Sequence, residues 1–128
     1  IIVHDHIQQL LPREGNEVKK EYHYRDITLV AKADHIPPQN ASEIWEFKTS
    51  EQAVPQAKPW ALDQVRIYTS IFERPTGIVF QPVRHSKGLF LKRIGEVKRD
   101  DQWFTQQLER LYQWHIKGDP LWIQAQMP

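Results

Sequence analysis

"SEIWEFKTS", residues 42–50, is the stretch on which the reading of this chain turns. Ile44, Trp45 and Phe47 are large residues that suit a pleated, half-buried surface, so the stretch reads as a β-strand. Side chains in a strand alternate between faces with a period of two. Trp45 and Phe47 therefore share one face, and Glu46 and Lys48 share the other. A carboxylate and an ammonium side by side have an ordinary explanation, an ion pair on a solvent-facing sheet, contributing about 0–1 kcal/mol. They also have a chemical explanation, which depends on what the neighbouring segments supply.

Upstream, "VKKEYHYRDITLVAKADHI", residues 18–36, reads as two strands or one long bent one. Arg25-Asp26 is the candidate turn, and Pro37-Pro38 ends the segment. Asp34 closes the strand-like run "ITLVAKA", where an aspartate often caps a turn through its own side chain. At the start, "IIVHDHIQQLL" places Val3, Ile7, Leu10 and Leu11 on a helical stripe, with His4 and His6 on either side of it. Residues 12–16, "PREGN", break that helix.

Downstream of the central strand comes a polar loop over residues 50–59, and Pro59 opens a helix. Its apolar stripe is Ala61, Val65, Tyr68 and Phe72. Gln64 lies one turn before Tyr68, so the two are neighbours on the helix surface; the ordinary reading makes Tyr68 core and Gln64 rim. "GIVFQPV" and "GLFLKRI", joined by "RHSKG", read as a β-hairpin. An amphipathic helix near residues 100–116 follows, with Phe104, Leu108, Leu111, Tyr112 and His115 on one side and Gly118 and Pro120 closing it. The order helix, strands, helix, strands, helix predicts one α/β domain over residues 1–128, with a central mixed β-sheet flanked by helices.

Composition narrows the chemistry. The 128 residues suffice for one proper hydrophobic core. There is no cysteine, which excludes disulfides, thiol catalysis, zinc–cysteine sites and iron–sulfur clusters. Any metal site must use oxygen and imidazole ligands, a set that favours magnesium, manganese or calcium. No apolar run approaches the roughly 20 residues needed to span a bilayer, and no signal-peptide pattern is present. A cytoplasmic protein is expected. Net charge is only +1, yet residues 84–99 hold Arg84, Lys87, Lys92, Arg93, Lys98 and Arg99 against Glu96 alone. That run is either a local basic surface or a solvated face.

Taken together these elements are far less common than each alone. A strand ending in Asp, then a strand with Glu-x-Lys, then a helix with Gln-x-x-x-Tyr resembles the PD-(D/E)XK nucleases, in particular their RecB-like and Cas4-like branch. The residues that carry the resemblance are His4 (or His6), "KADHI" with Asp34, "WEFKTS" with Glu46 and Lys48, and "DQVRIY" with Gln64 and Tyr68. "IIVH" is similar to the branch's opening helix and favours His4, and "LYQWHIKGDP" is similar to its last helix. The resemblance spans almost the whole chain in element order but rests on five or six residues. Ala33 stands in place of the pattern's proline, a departure that many members of the branch also tolerate, the cysteines of the Cas4 cluster are missing, and the 128 residues hold no helicase or other partner domain.

The resemblance implies a restriction-endonuclease-like core and a Mg- or Mn-dependent deoxyribonuclease, an exonuclease of the RecB/Cas4-like type, without an iron–sulfur cluster. Its partner would be DNA, as single strands or duplex ends, and no membrane; a homo-oligomer or a partner protein stays open. Phosphodiester hydrolysis builds negative charge on the attacking and leaving oxygens, which a hard divalent cation stabilises. Asp34 and Glu46 would be carboxylate ligands, the carbonyl of Phe47 a third oxygen, and His4 an imidazole ligand. Lys48 would orient water or neutralise phosphate. Gln64 and Tyr68 would contact phosphate or support the ligands. The Trp45 and Phe47 face is expected to pack on helices. Glu21 resembles a glutamate often found in this branch. His23, His35, His85 and His115 match nothing in the pattern and read as surface or packing residues. The alternatives are a non-catalytic nucleic-acid-binding or assembly module on the same fold, and a scaffold in which Glu46 and Lys48 form a surface pair.

Overall fold

The computed structural model describes residues 15–38, 42–49 and 52–117. The segment over residues 18–36 folds as a hairpin of β1 (Asn16–Tyr24) and β2 (Ile27–His35). The two strands pair antiparallel from Asn16↔His35 to Tyr24↔Ile27. Arg25 takes φ 53° at the turn, a conformation unusual for a residue with a Cβ. Its guanidinium compensates by lying 4.4 Å from the centre of the Tyr112 ring and 3.3 Å from Glu109.

β3 (Glu43–Phe47) pairs antiparallel with β2 and parallel with β4 (Thr76–His85). Parallel neighbours need a long crossover, and α1 (Pro59–Ile71) supplies it. Pro59 stands in the first turn, where its missing N–H costs nothing. β5 (Gly88–Lys98) returns antiparallel to β4, with Gly88 at φ 125° where a side chain would be strained. The result is a five-stranded mixed sheet in the order β1-β2-β3-β4-β5, followed by α2 (Asp101–Lys117).

Among the described residues, α1 and α2 lie over the same face of the sheet. Ala61 and Val65 of α1 pack with Ala33, Ile44, Val79, Ile94 and Val97. α2 packs Phe104 and Leu108 against Ala31 and Ile71, with Tyr22 and Leu29 alongside. Each fully buried aliphatic or aromatic side chain contributes about 1.5–3 kcal/mol. Small residues make the close approach possible. A Cβ added to Gly77 would sit 2.8 Å from Val65 Cγ2 and 3.0 Å from Thr69 Cγ2.

Among the described residues, neither α1 nor α2 packs on Trp45 and Phe47 as expected. Those two side chains join Ile78, Phe80, Leu89 and Leu91 on the opposite face, with Trp45 4.9 Å from the Phe80 ring. The helix docks instead on the face that carries Ile44 and Glu46, where alanine and glycine leave room. The expected first helix, with His4 and His6, and the closing Gly118 and Pro120 lie outside the described residues. Among the described residues no helix is long and apolar enough to cross a membrane.

Candidate active site

β2 and β3 meet through their backbones at His35↔Trp45. Past that point the two strands are linked through carboxylates. Asp34 accepts a hydrogen bond from the Phe47 N–H at 2.8 Å, and the Asp34 N–H donates to Glu46 Oε1 at 3.2 Å. Two backbone donors that a regular ladder would give to carbonyls are thus given to acids. The Asp34 side chain bonds a strand 13 residues away rather than capping a local turn.

Glu46 is 3% exposed, so it does not face solvent as a surface ion pair would. Burial pushes its carboxyl up to about 9, helped by the negative charge of Asp34 and by a side-chain hydrogen bond to it. The Asp34 N–H and the Lys48 charge offset only part of this. Burial and the neighbouring acid thus favour the protonated form of Glu46. Carboxylates this close repel when both ionise.

Lys48 sits one residue beyond β3, held there by its N–H donating to the Phe80 carbonyl at 2.9 Å. Its ammonium donates to Gln64 Oε1 at 2.5 Å, and not to Glu46. Gln64 Nε2 in turn lies 3.4 Å from the Tyr68 hydroxyl. Tyr68 is only partly core. Burial raises its pKa, and the charges of Glu46 and Asp34 add to the effect, which brings its hydroxyl within electrostatic reach of the pair. The structure thus gathers Asp34, Glu46, Lys48, Gln64 and Tyr68 into one cluster between the sheet and α1.

Other expected residues fall elsewhere. Glu21 is opposite Val30 on the hairpin, and its exposed carboxylate lies 3.8 Å from His23, away from the cluster. His35 is buried against Trp45 at 5.2 Å between ring centres, and burial lowers its pKa. It is a packing residue. His4 and His6 are outside the described residues.

The donor chemistry fits a hard divalent cation. Two converging carboxylates can take up a cation in place of a proton, which removes their mutual repulsion. In an extended residue N–H and C=O lie on the same strand edge. The Phe47 carbonyl therefore shares the edge from which its N–H reaches Asp34. Among the described residues no group of three or more His, Asp or Glu side chains gathers.

Sequence reasoning passed over Trp60. Its ring centre lies 5.0 Å from the Lys48 ammonium, and Trp60, Gln64 and Tyr68 form an i, i+4, i+8 row along α1. That spacing was the available signal. It also passed over Gln81, which is 1% exposed. Its amide accepts from the Val54 N–H and donates to the Gln52 carbonyl, both at 2.9 Å.

No family model matches the chain, and no curated protein matches it. Among solved structures it is similar to SSO0001, with a TM-score of 0.61 and 20% identity, over 84% of this chain. The chain spans 55% of the length of SSO0001. At that identity the likeness shows the fold alone.

Proposed function

We propose that the chain is a divalent-metal-dependent nuclease that hydrolyses phosphodiester bonds in DNA, an exonuclease of the RecB-like type working in the cytoplasm. The observation that carries this reading is the convergence of the Asp34 carboxylate on the buried Glu46 carboxyl, each acid held by a backbone N–H of the other strand. An acid buried beside a second carboxylate costs the fold stability, whereas a bound cation would offset that cost. When bound, Mg or Mn would supply charge stabilisation on phosphate oxygens and a more acidic water.

Asp34 and Glu46 would hold that ion, with the Phe47 carbonyl as a further oxygen. Lys48 gives one of its three hydrogens to Gln64 and keeps others to offer a phosphate oxygen or the attacking water. Gln64 aims the ammonium, and the Tyr68 hydroxyl steadies the Gln64 amide. The apolar floor of Ile44, Val65 and Val79 keeps water from the inner side of the acids and strengthens each of these interactions.

The test is incubation of the purified protein with single-stranded and duplex DNA, end-labelled at either terminus, in Mn²⁺, Mg²⁺ or EDTA. Cleavage in the metals, none in EDTA, and progressive loss from one labelled end are the expected results. Binding without cleavage under every condition would overturn the enzyme and favour a non-catalytic nucleic-acid-binding module.

A further inference from the structure

A cavity of about 180 Å³ opens beside Lys48, on the side of the candidate active site where α1 begins. Trp60, Ala57 and Ile94 give it apolar walls, and Lys48, Lys58 and Gln56 line its polar side. Its volume is below the roughly 300–1,000 Å³ of pockets that enclose drug-sized ligands, and suits one flat ring system.

The walls are fixed before any ligand arrives. The loop before α1 is tied to the sheet by the Gln81 amide on Val54 and Gln52, by Lys92 Nζ on the Val54 carbonyl at 2.9 Å, and by the Ala57 N–H on the Ile94 carbonyl at 2.7 Å. Such preorganisation lowers the entropy cost of binding. Trp60 is 48% exposed although it is among the most apolar side chains of the chain. The Lys48 ammonium lies 5.0 Å from its ring centre, so the indole and the group assigned to the phosphate are held side by side.

We infer that this cavity receives one unpaired nucleobase, stacked on Trp60, of the strand whose phosphate meets Lys48. The inference rests on the nuclease reading and deepens it: the preferred substrate is a single strand or a frayed end, not an intact duplex. An indole has no hydrogen-bond acceptor to read a base edge, so stacking on it is tolerant of sequence. A paired base cannot enter, because its partner strand and stacked neighbours occupy both of its faces and its edge.

The test measures equilibrium binding in EDTA by fluorescence anisotropy, which needs no catalysis. The probes are a labelled oligothymidylate, an abasic strand of the same length, and a blunt duplex. The proteins are wild type, Trp60→Ala and Trp60→Phe, each checked for unchanged thermal unfolding. Trp60→Ala should lose about 5- to 150-fold in affinity for oligothymidylate, and Trp60→Phe should keep most of it. The abasic strand should bind wild type and Trp60→Ala alike, and duplex affinity should change less than about twofold. Equal losses on all three probes, or no loss on oligothymidylate, would overturn the inference. Cleavage assayed in Mn²⁺ separates the two claims. Metal-dependent cleavage with Trp60-independent binding leaves the nuclease reading standing alone, whereas Trp60-dependent single-strand binding without cleavage leaves the base pocket standing alone.

Discussion

Among the described residues, Glu46 shows the largest shift in its titration. Its ordinary value of 4.5 is pushed up to about 9 in the fold, first by burial and then by Asp34. Between those two values the folded state binds more protons than the unfolded one, so stability falls as pH rises. Below 4.5 both states are protonated and the cost vanishes. Glu46→Gln keeps the shape and removes the titration. In EDTA it should raise stability by about 1–3 kcal/mol at pH 7, more at pH 8.5, and by almost nothing at pH 4. Urea unfolding across that range reads the effect directly. A gain that grows toward acid pH would mean that Glu46 is ionised and stabilising in the fold. The residue pair itself was legible: the spacing of Glu46 and Lys48, the strand-end Asp34 and the Gln64–Tyr68 turn were enough to name the cluster. Burial was not legible, because whether an exposed or covered face holds Glu46 depends on α1, a crossover away in sequence.

Among the elements, the contact between α1 and β4 places Gln64 and Tyr68 over the acids. Gly77 sets that distance: a Cβ added there would meet the Val65 and Thr69 side chains first and the Val65 carbonyl at 3.2 Å. Gly77→Ala should therefore push α1 outward. Overpacking of this kind costs typically about 1–3 kcal/mol, and thermal unfolding will show it. Cleavage should fall beyond what the stability loss explains, since Gln64 would no longer reach Lys48. Wild-type stability and activity in Gly77→Ala would show that the helix has slack. The elements themselves were readable from Pro59, Arg25-Asp26 and the Gly88 turn. The face on which the helices dock was not. Bulky Trp45 and Phe47 look like the natural partners of a helix, but the helix follows Ala33, Ala57, Ala61 and Gly77, whose small size lets backbones approach. β4 adds to the difficulty, since residues 76–82 are all buried and show no alternation between faces.

Across the whole molecule, charge distribution modifies the reading of the basic run at residues 84–99. Arg93 and Lys98 pair with Glu96, Arg99 pairs with Asp101 at 2.8 Å, and Lys92 is spent on the Val54 carbonyl. Part of the apparent basic surface is thus paired within the fold, by Glu96 and Asp101 beside it in sequence and by the distant Val54 carbonyl. Under the proposed function, lysines around the cluster, Lys48 and Lys58 among them, would supply phosphate contacts, and the central claim comes back to the two acids. The most direct measurement is calorimetric titration of Mn²⁺ into wild type, Asp34→Ala, Glu46→Gln and Lys48→Ala at one pH, with cleavage followed on the same samples. The account predicts binding in wild type and in Lys48→Ala, affinity at least about tenfold weaker in both carboxylate variants, and cleavage in wild type alone. Equal Mn²⁺ binding by wild type and Glu46→Gln would contradict it.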